Sequence, residues 1–256
     1  MLTEGNTKNS LQDKRVGLKQ DTAIDILQLR EYVSDLKLLI KQRDKAYNSL
    51  ESAHLDSIER LVKASEFKDD DTGVHISRMC KISEMISRAH GESDDFCKLI
   101  LQASRMHDIG KIGIPDSILK KSGSLTPSEW EEMRKHPQYG YDILKGSSVP
   151  MIEMAAEIAL THHEKFDGSG YPRGLKGSEI PLSGQIVAIA DFFDALTMTR
   201  CYRPAMSDDV ALSMIEDERG KHFSPQIVDA FFRISNDIIY ARNVINRDAL
   251  LPIELS

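Results

Sequence analysis

In residues 21–64, apolar residues recur at intervals of three or four positions, or at longer intervals of seven or eleven. The apolar positions are Leu29, Val33, Leu36, Ile40, Tyr47, Leu50 and Leu61. From Thr22 to Ala64 the segment is charged and contains neither proline nor glycine, so it predicts one long helix. A narrow apolar seam on a charged helix is typical of a dimeric coiled coil, and interruptions at Arg43, His54 and Ser57 indicate a stutter. The alternative is a long helix packed on its own domain.

From Ser65 onward the pattern predicts helices throughout. Residues 72–90 and 151–163 each place apolar residues on one face, as Met79, Ile82 and Ile86 do beside His75 in the first of them. A further helix over about 185–198 presents Asp191 and Asp194 one turn apart. Helix boundaries are indicated by Gly91, by the capping box that begins at Thr126, and by Ser207 and Ser224. No alternating strand pattern occurs. The predicted fold class is all-α, a compact helical bundle preceded by a long coiled-coil-like helix.

Four segments follow from these patterns. Residues 1–20 are polar and without periodicity, which predicts a disordered start. The long helix covers residues 21–64, the compact domain residues 65–245, and a tail residues 246–256. A loop rich in glycine and proline, from about Glu164 to Gly184, interrupts the helices of the domain.

Composition narrows the classes of function. The net charge of -7 argues against binding to DNA or RNA polymers or to anionic membranes. No apolar run is long enough to span a membrane, and residues 1–15 lack the apolar core of a secretory signal. The three cysteines, Cys80, Cys97 and Cys201, are odd in number and widely spaced, which favours a reducing, cytoplasmic location over a disulfide framework.

Histidines gather on the apolar faces of the predicted helices. A single histidine there is usually a satisfied core residue, but three successive helices carry one at the face or its end. The full set of candidate metal ligands is His75, His107, Asp108, His136, His162, His163 and Asp191. Five imidazoles and two carboxylates exceed the needs of one tetrahedral zinc and suit two ions of higher coordination number. Such nitrogen and oxygen ligands suit Fe, Mn, Zn, Ni or Co.

Six short segments together resemble the HD-GYP domain family. In chain order they are Asp71–His75, His107–Pro115, Lys135–Pro137, Thr161–Glu164, Asp167–Pro172 and Ala190–Thr197. Their order matches that of the family, and the similarity extends over roughly residues 60–235. The resemblance implies a metal-dependent phosphodiesterase that hydrolyses cyclic di-GMP to the linear dinucleotide or GMP, by a hydroxide that bridges two metals.

The resemblance also implies which residues hold the metals. His75, His107, Asp108 and Asp191 would hold one ion, and His136, His162 and His163 would hold the other, with Asp108 bridging. Fe and Mn are the expected metals. A third metal in some members uses a glutamate where this chain has Asp71, so we expect two ions, and Asp71 is equally compatible with an acidic helix N-terminus.

Further residues match family positions that contact the substrate. Lys111, Arg200 and Arg203 are expected to bind phosphate oxygens, with Lys111 also serving the catalytic step, and Tyr171 is expected to line the site. Asp194, one turn after Asp191, is expected to orient a ligand histidine, or to form a salt bridge with Arg200.

Several alternatives stay open at the level of sequence. The alternative substrates are 3′,3′-cyclic GMP–AMP and another nucleotide of the kind that HD-superfamily hydrolases cleave. A receptor or adaptor that binds a cyclic dinucleotide without turnover is a third possibility, although every ligand position for two metals is filled. Expected partners are a second copy of the chain through the N-terminal helix and an upstream sensor or GGDEF-type signalling protein.

Overall fold

The computed structural model describes residues 5–66, 73–199 and 204–249 and divides the chain into two units, Met1–Glu59 and Arg60–Ser256. Helix α1 spans Gly5–Glu66. It begins well before residue 21, so residues 5–20 are helical where the polar composition predicted disorder. The physical reason is that these residues include many strong helix formers and no proline, and that extending an existing helix costs less than nucleating one.

The second unit is built from helices and connecting loops. Its helices are α2 (Gly73–His90), α3 (Asp94–Ala103), α4 (Asp116–Leu119), α5 (Pro127–Met133), α6 (His136–Leu144), α7 (Pro150–Thr161), α8 (Leu182–Thr197), α9 (Asp208–Asp217), α10 (Pro225–Arg233) and α11 (Ser235–Ala249). Short 3₁₀ helices cover Ser104–Met106, Ile109–Gly113 and Gly177–Glu179. Within the described ranges no strand is present, which confirms the all-α prediction.

Local sequence signals set several helix boundaries. Gly91, at a φ of 104°, ends α2, and its amide donates to the carbonyl of Ser87. Thr126 caps α5 in a reciprocal capping box with Glu129. Ser207 and Ser224 precede α9 and α10 as predicted, although neither side chain makes a capping hydrogen bond.

Helices α2 and α8 form the centre of the bundle. Helix α2 packs against α3, α8, α10 and α11, and α7 packs against α3, α6 and α8. Met79, Ile82 and Ile86 of α2 are almost completely buried, as are Phe193 of α8 and Phe231 of α10. This apolar interior holds the segments that carry the predicted ligands in fixed positions.

The C-terminal helix differs from its predicted limit. Helix α11 runs to Ala249, so residues 246–249 belong to it and not to a tail. Asn246 contacts α2 directly, because its Oδ1 accepts a hydrogen bond of 2.6 Å from Arg78. Residue 246 is therefore in contact with the core of the unit. Among the described residues, each helix is too short or too polar to cross a bilayer.

Candidate metal centre

Five parts of the fold bring the predicted ligands together. His75 lies on the first turn of α2, His107 and Asp108 between two 3₁₀ helices, His136 at the start of α6, His162 and His163 directly after α7, and Asp191 on α8. They form two groups, and the ligand atoms within each lie within 4.8 Å of one another. We call these the His75 group (His75, His107 and Asp191) and the His162 group (Asp108, His136, His162 and His163).

Asp108 lies between the two groups. Its Oδ2 is 3.1 Å from Nε2 of His107, which belongs to the His75 group. Its Oδ1 is 3.2 Å from Nε2 of His136 and 3.5 Å from Nε2 of His162. One carboxylate oxygen therefore faces each group, as the bridging role implied by the family resemblance requires.

The histidine rings are fixed by hydrogen bonds on the side away from Asp108. Nδ1 of His136 donates to the Met133 carbonyl at 2.8 Å, and Nδ1 of His162 lies 3.1 Å from the carbonyls of Ile158 and Ala159. A carbonyl only accepts, so the proton of these rings is on Nδ1, and Nε2 presents a lone pair to the centre.

Several polar atoms at the centre are buried without a hydrogen-bond partner. They are Nε2 of His107, His136 and His162 and Oδ1 of Asp108. Lone pairs of imidazole and carboxylate that face one another repel unless a cation lies between them, and buried polar atoms are rarely left unpaired. The donor set of nitrogen and oxygen atoms therefore fits a divalent metal such as Fe, Mn or Zn.

The charge states of Asp108, His162 and His163 also suit metal binding. Burial lowers the pKa of His162, and burial with the neighbouring imidazoles lowers that of His163 well below its usual range, so both rings are neutral. Burial opposes ionisation of Asp108, but Lys111 and His107 outweigh it and hold the carboxyl pKa well below its ordinary value. For His107, burial is outweighed by the Asp108 carboxylate, which raises the pKa to about 9.

Asp194 is completely buried beside His75. Its Oδ2 is 2.7 Å from Nδ1 of His75, while Nε2 of that ring is 3.5 Å from Oδ1 of Asp191. This arrangement matches the predicted partner that orients a ligand histidine. Arg78 pairs with the Asp194 carboxylate. The predicted alternative, a salt bridge from Asp194 to Arg200, involves a residue outside the described ranges.

Lys111 points into the centre. Its Nζ lies 2.8 Å from Oδ2 of Asp108. The neighbouring Gly110 allows this placement, because a Cβ there would lie 1.9 Å from the carbonyl oxygen of His136 and 2.3 Å from the amide of Gly140. Without a side chain, the segment packs directly on the start of α6, which brings Asp108 against His136.

The loop that follows His163 folds back over the centre. The Tyr171 ring stacks on the imidazole of His163, a candidate ligand, with ring centroids 4.8 Å apart. The guanidinium of Arg134 lies 5.4 Å from the centroid of the Tyr171 ring. The sequence reasoning missed Arg134, and a lone arginine two positions before His136 gives no distinctive signal.

Glu164 anchors this loop. It is almost completely buried, and its carboxylate accepts backbone hydrogen bonds from Arg173 at 2.8 Å and Leu175 at 3.0 Å. Gly170 lies so close to the turn that a Cβ there would be 2.2 Å from the amide of Lys165. Glu164 was not predicted as a loop anchor, although its place directly after the paired histidines is a usable signal.

Three predicted site residues lie outside the described ranges. They are Asp71, Arg200 and Arg203.

The helical fold and the two adjoining histidine–aspartate groups are features of HD domains. The chain belongs to the HD domain family, whose model matches residues 37–227, and the resemblance of its motifs is thereby confirmed. A cyclic di-GMP phosphodiesterase response regulator of Xanthomonas campestris pv. campestris is 42% identical over 82% of this chain and 56% of its own length. A cyclic di-GMP phosphodiesterase of Thermotoga maritima is 44% identical over 84% of this chain and 59% of its own length.

The chain thus spans less than two thirds of these two relatives. Among solved structures, a cyclic GMP-AMP specific phosphodiesterase of V. cholerae matches with a TM-score of 0.54 at 19% identity, over 75% of this chain and 52% of that chain. At this identity the likeness concerns the fold, and it agrees with the helical bundle predicted from the sequence.

Proposed function

We propose that this chain is a metal-dependent phosphodiesterase that hydrolyses cyclic di-GMP to the linear dinucleotide, to GMP, or to both. The observation that carries the proposal is the Asp108 carboxylate, which lies between the two groups of candidate ligands and beside the Lys111 ammonium. Two metal sites beside the Lys111 ammonium would together present positive charge, which suits the binding of a negatively charged phosphate ester. The names of the Xanthomonas and Thermotoga relatives support cyclic di-GMP as the substrate.

In this proposal the His75 group holds one metal ion, the His162 group holds the other, and Asp108 is shared. Fe and Mn are the proposed metals, and a third ion is not required. When bound, such ions supply Lewis acidity, which makes water nucleophilic near neutral pH and neutralises charge on phosphate oxygens. Asp194 keeps the proton of His75 on Nδ1, so that Nε2 faces the metal.

The remaining residues bind and orient the substrate. Lys111 binds a non-bridging phosphate oxygen and stabilises the negative charge that develops there during attack on phosphorus. Tyr171 covers His163 and forms one wall of the site. Arg200 and Arg203 are proposed to bind phosphate oxygens on the strength of the family resemblance.

The proposal is tested by turnover of cyclic di-GMP with protein loaded anaerobically with Fe(II) or Mn(II), with metal counted per chain. We expect linear dinucleotide or GMP only from loaded protein, and 3′,3′-cyclic GMP–AMP serves as the competing substrate. Faster hydrolysis of cyclic GMP–AMP would overturn the choice of substrate. If loaded protein bound cyclic di-GMP but formed no product, the proposed enzymatic activity would be wrong and the chain would be a receptor.

We propose a cytoplasmic location and a dimer that joins two copies through α1. The buried free thiols of Cys80 and Cys97 suit a reducing compartment. The seam residues of α1 are exposed, among them Leu29, Val33 and Leu36. A second copy would cover this seam, and an upstream sensor or GGDEF-type protein is the proposed partner that acts on it.

The dimer makes a specific prediction for two neighbouring leucines. Leu36, on the seam, is 57% exposed and Leu38, off the seam, is 56% exposed. Loss of a buried leucine costs about 2–5 kcal/mol, so Leu36→Lys should raise the dimer dissociation constant at least about 30-fold. Leu38→Lys, the matched control, should leave it nearly unchanged. Analytical ultracentrifugation measures both, and equal effects from the two substitutions would contradict the seam.

A further inference from the structure

Arg78 of α2 makes a buried, two-point contact with Asp194 of α8. Its Nε donates to Oδ1 at 2.6 Å and its Nη2 donates to Oδ2 at 2.8 Å. Arg78 is 6% exposed and Asp194 is 0% exposed. Two parallel hydrogen bonds from one guanidinium fix the plane of the carboxylate as well as its position.

The same carboxylate orients a proposed metal ligand. Oδ2 of Asp194 accepts from Arg78 and also lies 2.7 Å from Nδ1 of His75. The plane of the carboxylate therefore sets the direction of the imidazole ring, and with it the direction of Nε2 toward Asp191. If the carboxylate rotated, the ligand nitrogen would leave its place in the His75 group.

A third contact links Arg78 to the C-terminal helix. Its Nη1 donates to Oδ1 of Asn246 on α11 at 2.6 Å. All three guanidinium nitrogens thus bind partners, two on Asp194 and one on Asn246. A lysine has a single nitrogen and cannot make this planar set of contacts.

From these contacts we propose that Arg78 is a positioning residue for the His75 group and that Asn246 holds Arg78 in place. Metal affinity at His75, His107 and Asp191 thereby depends on a side chain of α11. The inference rests on the proposed metal centre and extends it, because neither Arg78 nor Asn246 is a ligand. The contacts described for Arg78 and Asp194 lead to the His75 group.

A second arginine in the same unit provides a matched control. Arg242 of α11 is 8% exposed and donates to Asp208 from Nη1 at 2.5 Å and from Nη2 at 3.0 Å. It also donates to Oδ1 of Asn243. The ion pair has the same chemistry as Arg78 with Asp194, and Arg242 is buried as Arg78 is. The Asp208 side chain is 33% exposed, however, and Asp208 is outside both ligand groups.

The test compares Mn(II) binding by Arg78→Gln and Arg242→Gln in the full chain, with metal counted per chain and electron paramagnetic resonance to separate coupled from isolated Mn(II). Loss of a partner that orients a metal ligand weakens metal affinity about 10–100-fold. For Arg78→Gln we expect the affinity for one of the two ions to fall by about 10–100-fold, and the spectrum to be that of an isolated Mn(II) ion. For Arg242→Gln we expect two coupled ions at wild-type affinity. Equal metal loss in both variants, or none in Arg78→Gln, would overturn the proposal.

A second pair of variants applies if Arg78→Gln does not fold. Asn246→Leu leaves the contacts of Arg78 with Asp194 in place and removes only its support, and Asn243→Leu is the corresponding control. We expect weaker binding of one ion in the first variant alone, and equal affinities would overturn the role of α11. Wild-type protein that holds two ions but leaves cyclic di-GMP intact would contradict the proposed function without affecting this comparison.

Discussion

Replacement of Asp108 by asparagine should reduce hydrolysis of cyclic di-GMP at least about 1000-fold, equivalent to about 4 kcal/mol of transition-state stabilisation. The amide keeps the shape of the side chain but removes its negative charge and replaces one oxygen with a nitrogen that cannot bind a metal. Since Oδ1 and Oδ2 face different ligand groups, the substitution affects both groups at once. Steady-state turnover and metal content of Asp108→Asn measure the effect.

The control for this substitution is Asp142→Asn. Asp142 lies on α6, where its exposed carboxylate pairs with Lys145 and Gln138. It undergoes the same chemical change on a helix that also carries His136, and it should keep wild-type activity and metal content. An Asp108→Asn protein that retained both metals and full turnover would contradict the shared-ligand arrangement.

Replacement of Lys111 by glutamine should lower kcat/KM by about 10²–10³-fold, the usual cost of removing one donor that stabilises developing charge. The ammonium lies 2.8 Å from Asp108, so it reaches a phosphate oxygen presented at that side of the centre. Because lysine is not a ligand, the variant should keep both metals. Lys98→Gln is the control, since Lys98 is a solvent-exposed residue of α3.

The two readouts separate binding of metal from binding of substrate. Wild-type kinetics in the loaded Lys111→Gln variant would contradict the proposed contact with phosphate. Loss of metal would show instead that the ammonium supports Asp108, in which case its role lies in holding the centre together.

Much of the candidate metal centre was predictable because helical periodicity makes histidines on apolar faces conspicuous. His75, for example, is on the stripe of Met79, Ile82 and Ile86, whose burial follows from the same spacing. Adjacent residues such as His107 and Asp108 then fall near the others once the helices pack. The assignment of each ligand to one of two metals came from the family resemblance of the motifs, because periodicity alone does not show which ligands share a metal.

The supporting residues were not predictable for a physical reason. Arg78 is three positions after His75, and a charged residue in a helix ordinarily indicates a solvent-exposed position. Its burial depends on Asp194 and Asn246, which are distant in sequence and come close only in the folded bundle. Glu164 likewise accepts hydrogen bonds from amides nine and eleven residues later in the sequence. These amides come close to Glu164 only in the folded loop.

For the first residues of α1, amino-acid composition was a poor guide to secondary structure. Polar composition at residues 5–20 predicted disorder, although the same residues include no proline and adjoin a long helix. Composition describes how much apolar surface a segment is able to bury, and it says little about a segment that extends an existing helix.

The most direct measurement is anomalous X-ray diffraction from crystals of the Mn(II)-loaded chain, with data collected on both sides of the manganese absorption edge. The account predicts two separate anomalous peaks, one among His75, His107 and Asp191 and one among His136, His162 and His163, with the Asp108 carboxylate contacting both. A single peak, or peaks away from these residues, would contradict it.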